Sequence, residues 1–349
     1  MRMTAEMKIR TAFRDQAKFC RAAGSPLTAT LLLTLADTLD HSTRTGAAIL
    51  NWQGDPLIDA LKLRIAGGLN ALVRSGADPE LSALYASGQG DFPGILRRIL
   101  ATHDDALFAW LDSPPQTNEV ARAAALYSGM MMVADRFGSD MELIELGASA
   151  GLNLNLDRFC YDLGGIKTGT AESPLFLKPA WVGSPPPDVH VTVVDRVGVD
   201  QNPLDVSRPE IAEQLLAYVW PDQVERVARS EAAIALARAF PPPLVRGDAA
   251  EWIEQRLSQP QSKGVSRIVF HSIVLVYLSP EGRKRVEAAL FDAGSRATME
   301  RPLAWLSMEF HAKVRTAELR LTLWPGGETH LLARVHPHGA DIEWLAGDA

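Results

Sequence analysis

Valine is nearly missing from the first part of this chain. Of 22 valines only Val73, Val120 and Val133 precede residue 138, and of 22 prolines only Pro26, Pro56, Pro79 and Pro93 precede residue 110. Valine suits a pleated, half-buried surface, and proline is kept out of helix interiors. Residues 1–137 are therefore expected to be an all-helical domain, and 138–349 to hold the sheet. With 47% hydrophobic and 22% charged residues, the chain has enough apolar surface for real cores and is no disordered, collagen-like or disulfide-scaffold protein.

Charge follows the same division. Residues 1–137 carry 14 Lys+Arg and 14 Asp+Glu, so the net charge of −7 falls in the second part. No basic stripe is present, which argues against bulk nucleic-acid binding. Two cysteines, Cys20 and Cys160, make no disulfide framework. The start, MRMTAEMKIR, has no apolar signal core, and Leu27–Ala36 is too short to span a bilayer. A cytoplasmic protein without membrane contact is the expectation.

Ser25-Pro26 and Ser279-Pro280 are paired as N-cap and first helical residue. Helices are expected at 10–23, 26–39, 56–74, 93–110, 118–137, 208–239 (broken at Trp220-Pro221), 249–258 and 280–292. Met130, Met131 and Met132 lie on the apolar 118–137 helix and are read as core filler. From Gly138 the pattern changes. Met141–Leu146, Val189–Val194, Leu244-Val245, Arg267–Phe270 and Leu303–Phe310 read as strands alternating with helices. Leu319–Trp324 and His330–Val335 flank Pro325-Gly326-Gly327 as a hairpin. The fold class expected is α/β, a mostly parallel sheet closed by an antiparallel C-terminal hairpin, with an insertion of loops and short strands at 160–188.

The most informative segment, Glu145-Leu146-Gly147-Ala148-Ser149-Ala150-Gly151-Leu152-Asn153, follows a strand and opens a helix-compatible stretch. Small residues there allow a sharp turn and close approach of a ligand to backbone. The pattern resembles the first motif of class I S-adenosylmethionine-dependent methyltransferases, an acid followed by alternating glycines, with Ser149 in the middle glycine's place. That resemblance implies a turn holding the cofactor through Glu145, Gly147, Ser149 and Gly151. Gly-x-Ser-x-Gly is equally the nucleophile elbow of an α/β-hydrolase, with Ser149, Asp248 and His336 or His338 in triad order. An elbow normally follows several strands, whereas here 137 helical residues come first. That order favours the methyltransferase reading.

Downstream, Val197-Gly198-Val199-Asp200 resembles the end of a second strand whose acid accepts from ribose hydroxyls, with Asp195 as the rival acid. Gly147 and Asp200 are far apart, so the insertion must loop out. Gly247-Asp248-Ala249 resembles the turn that meets the adenine amino group, and Asp248 is also a natural N-cap. His271, ending the fourth strand, is a candidate general base or simply a hydrogen-bonded strand-end histidine. Glu309 is the candidate second catalytic residue, or an exposed polar partner. His336-Pro337-His338 with Asp341 lacks a third strong ligand, so no metal is expected. Tyr218 and Trp220-Pro221-Asp222 suit a pocket wall or helix packing equally.

These motifs, with Gln16-Ala17, Gly24-Ser25-Pro26, Tyr277-Leu278 and His336–Gly339, resemble an uncharacterised bacterial family of unknown function whose fold is related to class I methyltransferases. The resemblance runs nearly end to end. It implies a Rossmann-like methyltransferase sheet, S-adenosylmethionine as cofactor and a small-molecule substrate, with the N-terminal helices as cover. Two departures stand out: Ser149 at the central glycine, and a 311–318 link too short for the usual helix before the last hairpin. A serine hydrolase using Ser149 and a non-catalytic binding protein of the same fold are the competing expectations.

Overall fold

The computed structural model describes residues 4–116, 118–311 and 316–347. Seven helices come first: α1 (Ala5–Ala22), α2 (Pro26–Thr38), α3 (Arg44–Leu50), α4 (Leu61–Arg74), α5 (Pro79–Ser87), α6 (Phe92–Thr102) and α7 (Asp104–Trp110). A 3-10 turn, Val120–Arg122, leads into α8 (Ala123–Phe137). There follow β1 (Asp140–Leu146), a 3-10 segment (Leu152–Arg158), β2 (Cys160–Leu163), β3 (Ile166–Gly169), β4 (Phe176–Leu177), β5 (Ala180–Val182) and β6 (Thr192–Asp200). Then come α9 (Pro209–Ala217), α10 (Val224–Ala239), β7 (Leu244–Arg246), α11 (Ala249–Leu257), β8 (Ser266–Ser272) and α12 (Pro280–Ser295). The chain closes with β9 (Leu303–Phe310), β10 (Ala317–Trp324), β11 (Glu328–Val335) and β12 (Asp341–Trp344).

Contacts group the chain into two units: residues up to 116 with Arg208–Glu231, and residues 118–207 with those from 232 onward. This grouping does not coincide with the composition boundary at residue 137. α8 packs on β8, β9 and β10, and Arg208–Glu231 belongs with the first helices.

In the helical unit an apolar core of Phe13, Leu32, Leu35, Ile65, Leu69 and Ile99 also takes in Trp220. Asn70 Nδ2 donates to the carbonyls of Ala217 and Val219, both at 3.0 Å, tying α4 to the end of α9. Pro26 does open α2, but the Ser25 hydroxyl makes no capping bond to the helix amides. Asp222 replaces it, accepting from Leu27 N at 2.8 Å and from the Ser25 hydroxyl. Trp220 and Asp222 are thus packing and capping groups of this unit.

The second unit is an α/β structure around a nine-stranded mixed sheet in the order β5-β12-β11-β10-β9-β8-β1-β6-β7. β7, β6, β1, β8 and β9 run parallel; β9, β10, β11 and β12 alternate antiparallel. The expected hairpin around Pro325-Gly326-Gly327 is β10–β11. β2, β3 and β4, from the 160–188 stretch, form a separate three-stranded sheet, and β5 pairs with β12.

Side chains alternate across a strand, so the two faces can be assigned. Ile144 and Leu146 of β1, Val269 of β8 and Leu303 of β9 pack with Ile253 and Leu290 of α11 and α12. Leu306, of opposite parity, meets Gly129 of α8 so closely that a Cβ there would lie 2.5 Å from its Cδ1. Met130 and Met131 of α8 are buried, as core residues. α8 therefore covers one face and α11 with α12 the other. Among the described residues no helix is long and apolar enough to cross a membrane.

Candidate functional site

Strand order sets the first constraint. The chain moves from β1 outward to β6 and β7, then returns to the other side of β1 as β8. In open parallel sheets such a reversal leaves a crevice beyond the carboxyl ends of the strands, where ligands bind. Glu145, Asp200, Ser272 and the glycine turn all lie at that end.

The turn is built by three left-handed residues, Gly147 (φ 67°), Ser149 (φ 53°) and Gly151 (φ 67°). The amides of Gly147 and Ala148 donate to Val199 O at 2.9 and 3.0 Å, and Ser149 N donates to Asp200 Oδ2 at 2.8 Å. A Cβ on Gly147 would lie 2.7 Å from both Val274 methyls, and one on Gly151 2.7 Å from Pro242 Cγ. These two glycines thus admit neighbouring side chains of the protein itself. Ser149 bears the strain that glycine would avoid. Ser149→Gly is expected to raise stability by about 1 kcal/mol, and Gly147→Ala to lower it by about 1–3 kcal/mol. Thermal unfolding of the pair checks this, and a destabilised Ser149→Gly would disprove the strain argument.

Asp200 ends β6, and its oxygens receive the amides of Ser149 and Asn202, the latter at 2.8 Å. Its first task is to lock the turn, while each oxygen keeps a further lone pair. Asp195 lies five residues earlier, in register with Glu142 and near Arg256, so it is remote from the carboxyl end. Asp248 is exposed, and its Oδ1 accepts from Ala250 N and Glu251 N, both at 3.0 Å, as the N-cap of α11.

Glu145 is 2% exposed, and its Oε2 has no hydrogen-bond partner. Burial pushes its carboxyl well above the ordinary value; the charge of Asp200 adds to this and that of Arg122 opposes it. Strand parity turns Glu145 toward the α8 face. Arg122, just before α8, lies on that same face. Its Nη1 donates to Ser272 O at 2.9 Å and its Nε to Pro337 O at 2.8 Å. Asn153 Nδ2 donates to Glu119 O at 3.4 Å, joining the 3-10 segment to the turn before α8. Arg122 and Asn153 escaped sequence reasoning. Asn153 had a signal, two residues beyond the last turn glycine; Arg122 stands in no motif.

His271 and Glu309 are brought together, but on the opposite face from Glu145. His271 is fully buried; Nδ1 lies 2.7 Å from Glu309 Oε1, and Nε2 accepts from Trp305 Nε1 at 3.0 Å. Indole only donates, so Nε2 is the acceptor and the Nδ1 proton faces Glu309. With both nitrogens engaged inside the protein, the expected general base becomes a structural link. Glu309 Oε1 also receives Val274 N at 2.9 Å and Leu275 N at 3.2 Å, so the pair holds the loop after β8. Ile273, at φ 57°, starts that loop, and Tyr277 at its tip is 83% exposed.

Burial alone would raise the Glu309 carboxyl, but the hydrogen bond from His271 Nδ1, with those from the Val274 and Leu275 amides, outweighs it and holds it below the ordinary value. A carboxyl depressed in the folded state stabilises above its unfolded pKa, and this contribution fades as pH falls through the folded one. Unfolding midpoints are expected to drop more steeply between about pH 6 and about pH 3 in the wild type than in Glu309→Gln. Parallel slopes would show that this carboxylate contributes nothing to acid sensitivity.

A serine nucleophile needs a base on its hydroxyl. Ser149 Oγ is buried with no hydrogen-bond partner, Asp248 caps α11, and His336 Nδ1 accepts from His338 N at 3.1 Å. No triad is assembled. Among the described residues no three His, Cys, Asp or Glu side chains are grouped to hold a metal ion.

A family model described as an uncharacterised protein conserved in bacteria (DUF2332) matches residues 10–344. No curated protein and no solved structure matches the chain.

Proposed function

We propose that this chain, which belongs to the bacterial DUF2332 family, is an S-adenosylmethionine-dependent methyltransferase acting on a small molecule. The observation that carries the reading is Glu145: a buried carboxyl with an unpartnered oxygen, beside a tight turn at the point where the strand order reverses. A cationic ligand is what such a carboxyl lacks. The parallel order β7-β6-β1-β8-β9, starting from a central β1, supports a Rossmann-like methyltransferase sheet. One departure remains: β9 ends at Phe310 and β10 begins at Ala317, with 312–315 outside the described residues.

When bound, the cofactor supplies an electrophilic methyl group on a sulfonium. In this reading Glu145 faces the cationic end, Asp200 offers its remaining lone pairs to the ribose, and Asp248 Oδ2 meets the adenine amino group. With His271 tied to Glu309 and Trp305, methyl transfer relies on alignment of acceptor and methyl group rather than on a protein base.

Calorimetric titration with S-adenosylmethionine and its demethylated product tests this. Saturable binding, lost in Asp200→Ala and Asp248→Ala, is the expected result. Binding that survives both substitutions removes those two residues from the site. No binding at millimolar ligand removes the cofactor and favours a non-catalytic protein.

A further inference from the structure

A cleft of about 350 Å³ opens within the helical unit between α4, α7 and α9, a volume in the range that holds small molecules. Gly68 and Ala71 of α4 and Trp110 at the end of α7 give it an apolar floor. The space exists because Gly68 and Ala71, three residues apart on one helix face, present almost no side chain. A Cβ on Gly68 would lie 3.0 Å from Trp110 Cγ, so the indole rests directly on the helix. Glycine inside a helix costs about 1 kcal/mol against alanine, so this contact is kept against helix propensity. Tyr218 fixes the indole in turn. The two rings meet edge to face with centroids 5.3 Å apart, and the Tyr218 hydroxyl donates to Ser113 O at 2.7 Å.

α9 supplies a polar wall of Glu210, Glu213 and Gln214. Arg74 also lines the cleft, but its Nε donates to Glu213 Oε2 at 2.8 Å and its Nη2 to Glu231 Oε1 at 3.4 Å. Glu210 accepts from Arg208 Nη2 at 2.6 Å. Three carboxylates thus face two guanidiniums, both already paired, and Glu213 keeps its second oxygen for a further donor. An entering anion would meet this excess of carboxylate, whereas a cation would be drawn to it.

We propose that this cleft is a binding site for a small molecule with an aromatic body and a cationic amine. The ring lies against Ala71 and the Trp110 indole, and the amine meets Glu213. The site uses none of the residues of the glycine turn and does not rest on the methyltransferase reading.

Calorimetric titration of the full chain with phenethylamine, phenethyl alcohol and hydrocinnamate tests this, since the probes share one ring and differ in charge. The amine is expected to bind saturably, about tenfold more tightly than the carboxylate, with the alcohol between them. Ala71→Leu fills the cleft without touching an ion pair and should abolish amine binding. Ala106→Leu, at an exposed position of the same lining, repeats the block should Ala71→Leu fail to fold. Glu213→Gln should weaken the amine several-fold and leave the alcohol unchanged. Each variant is first shown to melt cooperatively. Amine binding indifferent to the filling variants, a preference for the carboxylate, or no binding at millimolar probe overturns the proposal. Loss of amine binding in Glu145→Gln, with the filling variants unaffected, moves the amine to the glycine turn and overturns it as well.

Discussion

Replacing Glu142 by alanine is expected to cost the fold about 3–5 kcal/mol, the usual penalty for breaking a buried ion pair from one side. Glu142 sits on β1 in register with Asp195 of β6 and Arg267 of β8. Its Oε2 accepts from Arg267 Nε at 2.8 Å, and its Oε1 from Arg256 of α11. Arg267 is 3% exposed, and its other nitrogens donate to Gln259 O and Pro260 O at 3.1 and 3.0 Å. Alanine would leave that guanidinium buried without its counter-charge, whereas Arg256 still has Asp195 at 3.5 Å. The measurement is the urea midpoint at constant slope. A Glu142→Leu, Arg267→Met double variant should recover most of the loss, because an apolar pair needs no desolvated charge. A single-variant loss under about 1 kcal/mol would show that the network is no more than a surface pair.

Glu145, three residues along the same strand, should behave in the opposite way. Glu145→Gln is expected to stabilise the protein at neutral pH by about 1–3 kcal/mol, since it removes the cost of ionising a buried carboxyl while leaving the shape and polarity of the side chain nearly unchanged. The pH dependence follows from its raised folded-state pKa. Over the interval between the unfolded and folded values, the folded protein binds more protons than the unfolded one, so stability falls as pH rises. The variant should lack this decline, and its advantage should grow from about pH 5 to about pH 8. Denaturant titrations at both pH values decide the matter. A variant less stable than the wild type would mean that Glu145 serves the fold. A more stable variant with impaired ligand binding would mark a residue kept for its site at the expense of stability.

The two glutamates illustrate what could be read before folding was considered. Both stand in one apolar run, 141–146, and nothing in the run separates them. Alternation along β1 turns Glu142 toward Arg256 and Arg267, and Glu145 toward the other face. His271 and Glu309 tell the same story. Each was legible as a strand-end polar residue, but the Trp305 indole that occupies Nε2 comes from another strand and carries no motif. The glycine turn was legible as a turn. That its glycines admit Val274 and Pro242 depends on segments roughly a hundred residues downstream.

The succession of elements follows from the residue order alone: helices first, then the strand–helix alternation and the closing hairpin, with the turn on the first strand of the sheet. Those properties are local, set by valine and proline placement, caps and glycines, each acting within a few residues. Which residues share a face, and which buried atoms find partners, emerges when the chain is folded. Folding drew Arg208–Glu231 into the helical unit, put Asp222 where Ser25 was expected to cap α2, and left Glu145, Ser149 and Asn153 each with an unsatisfied buried atom. Hydrogen-bond satisfaction joins atoms distant in the chain, so no window of sequence can count it.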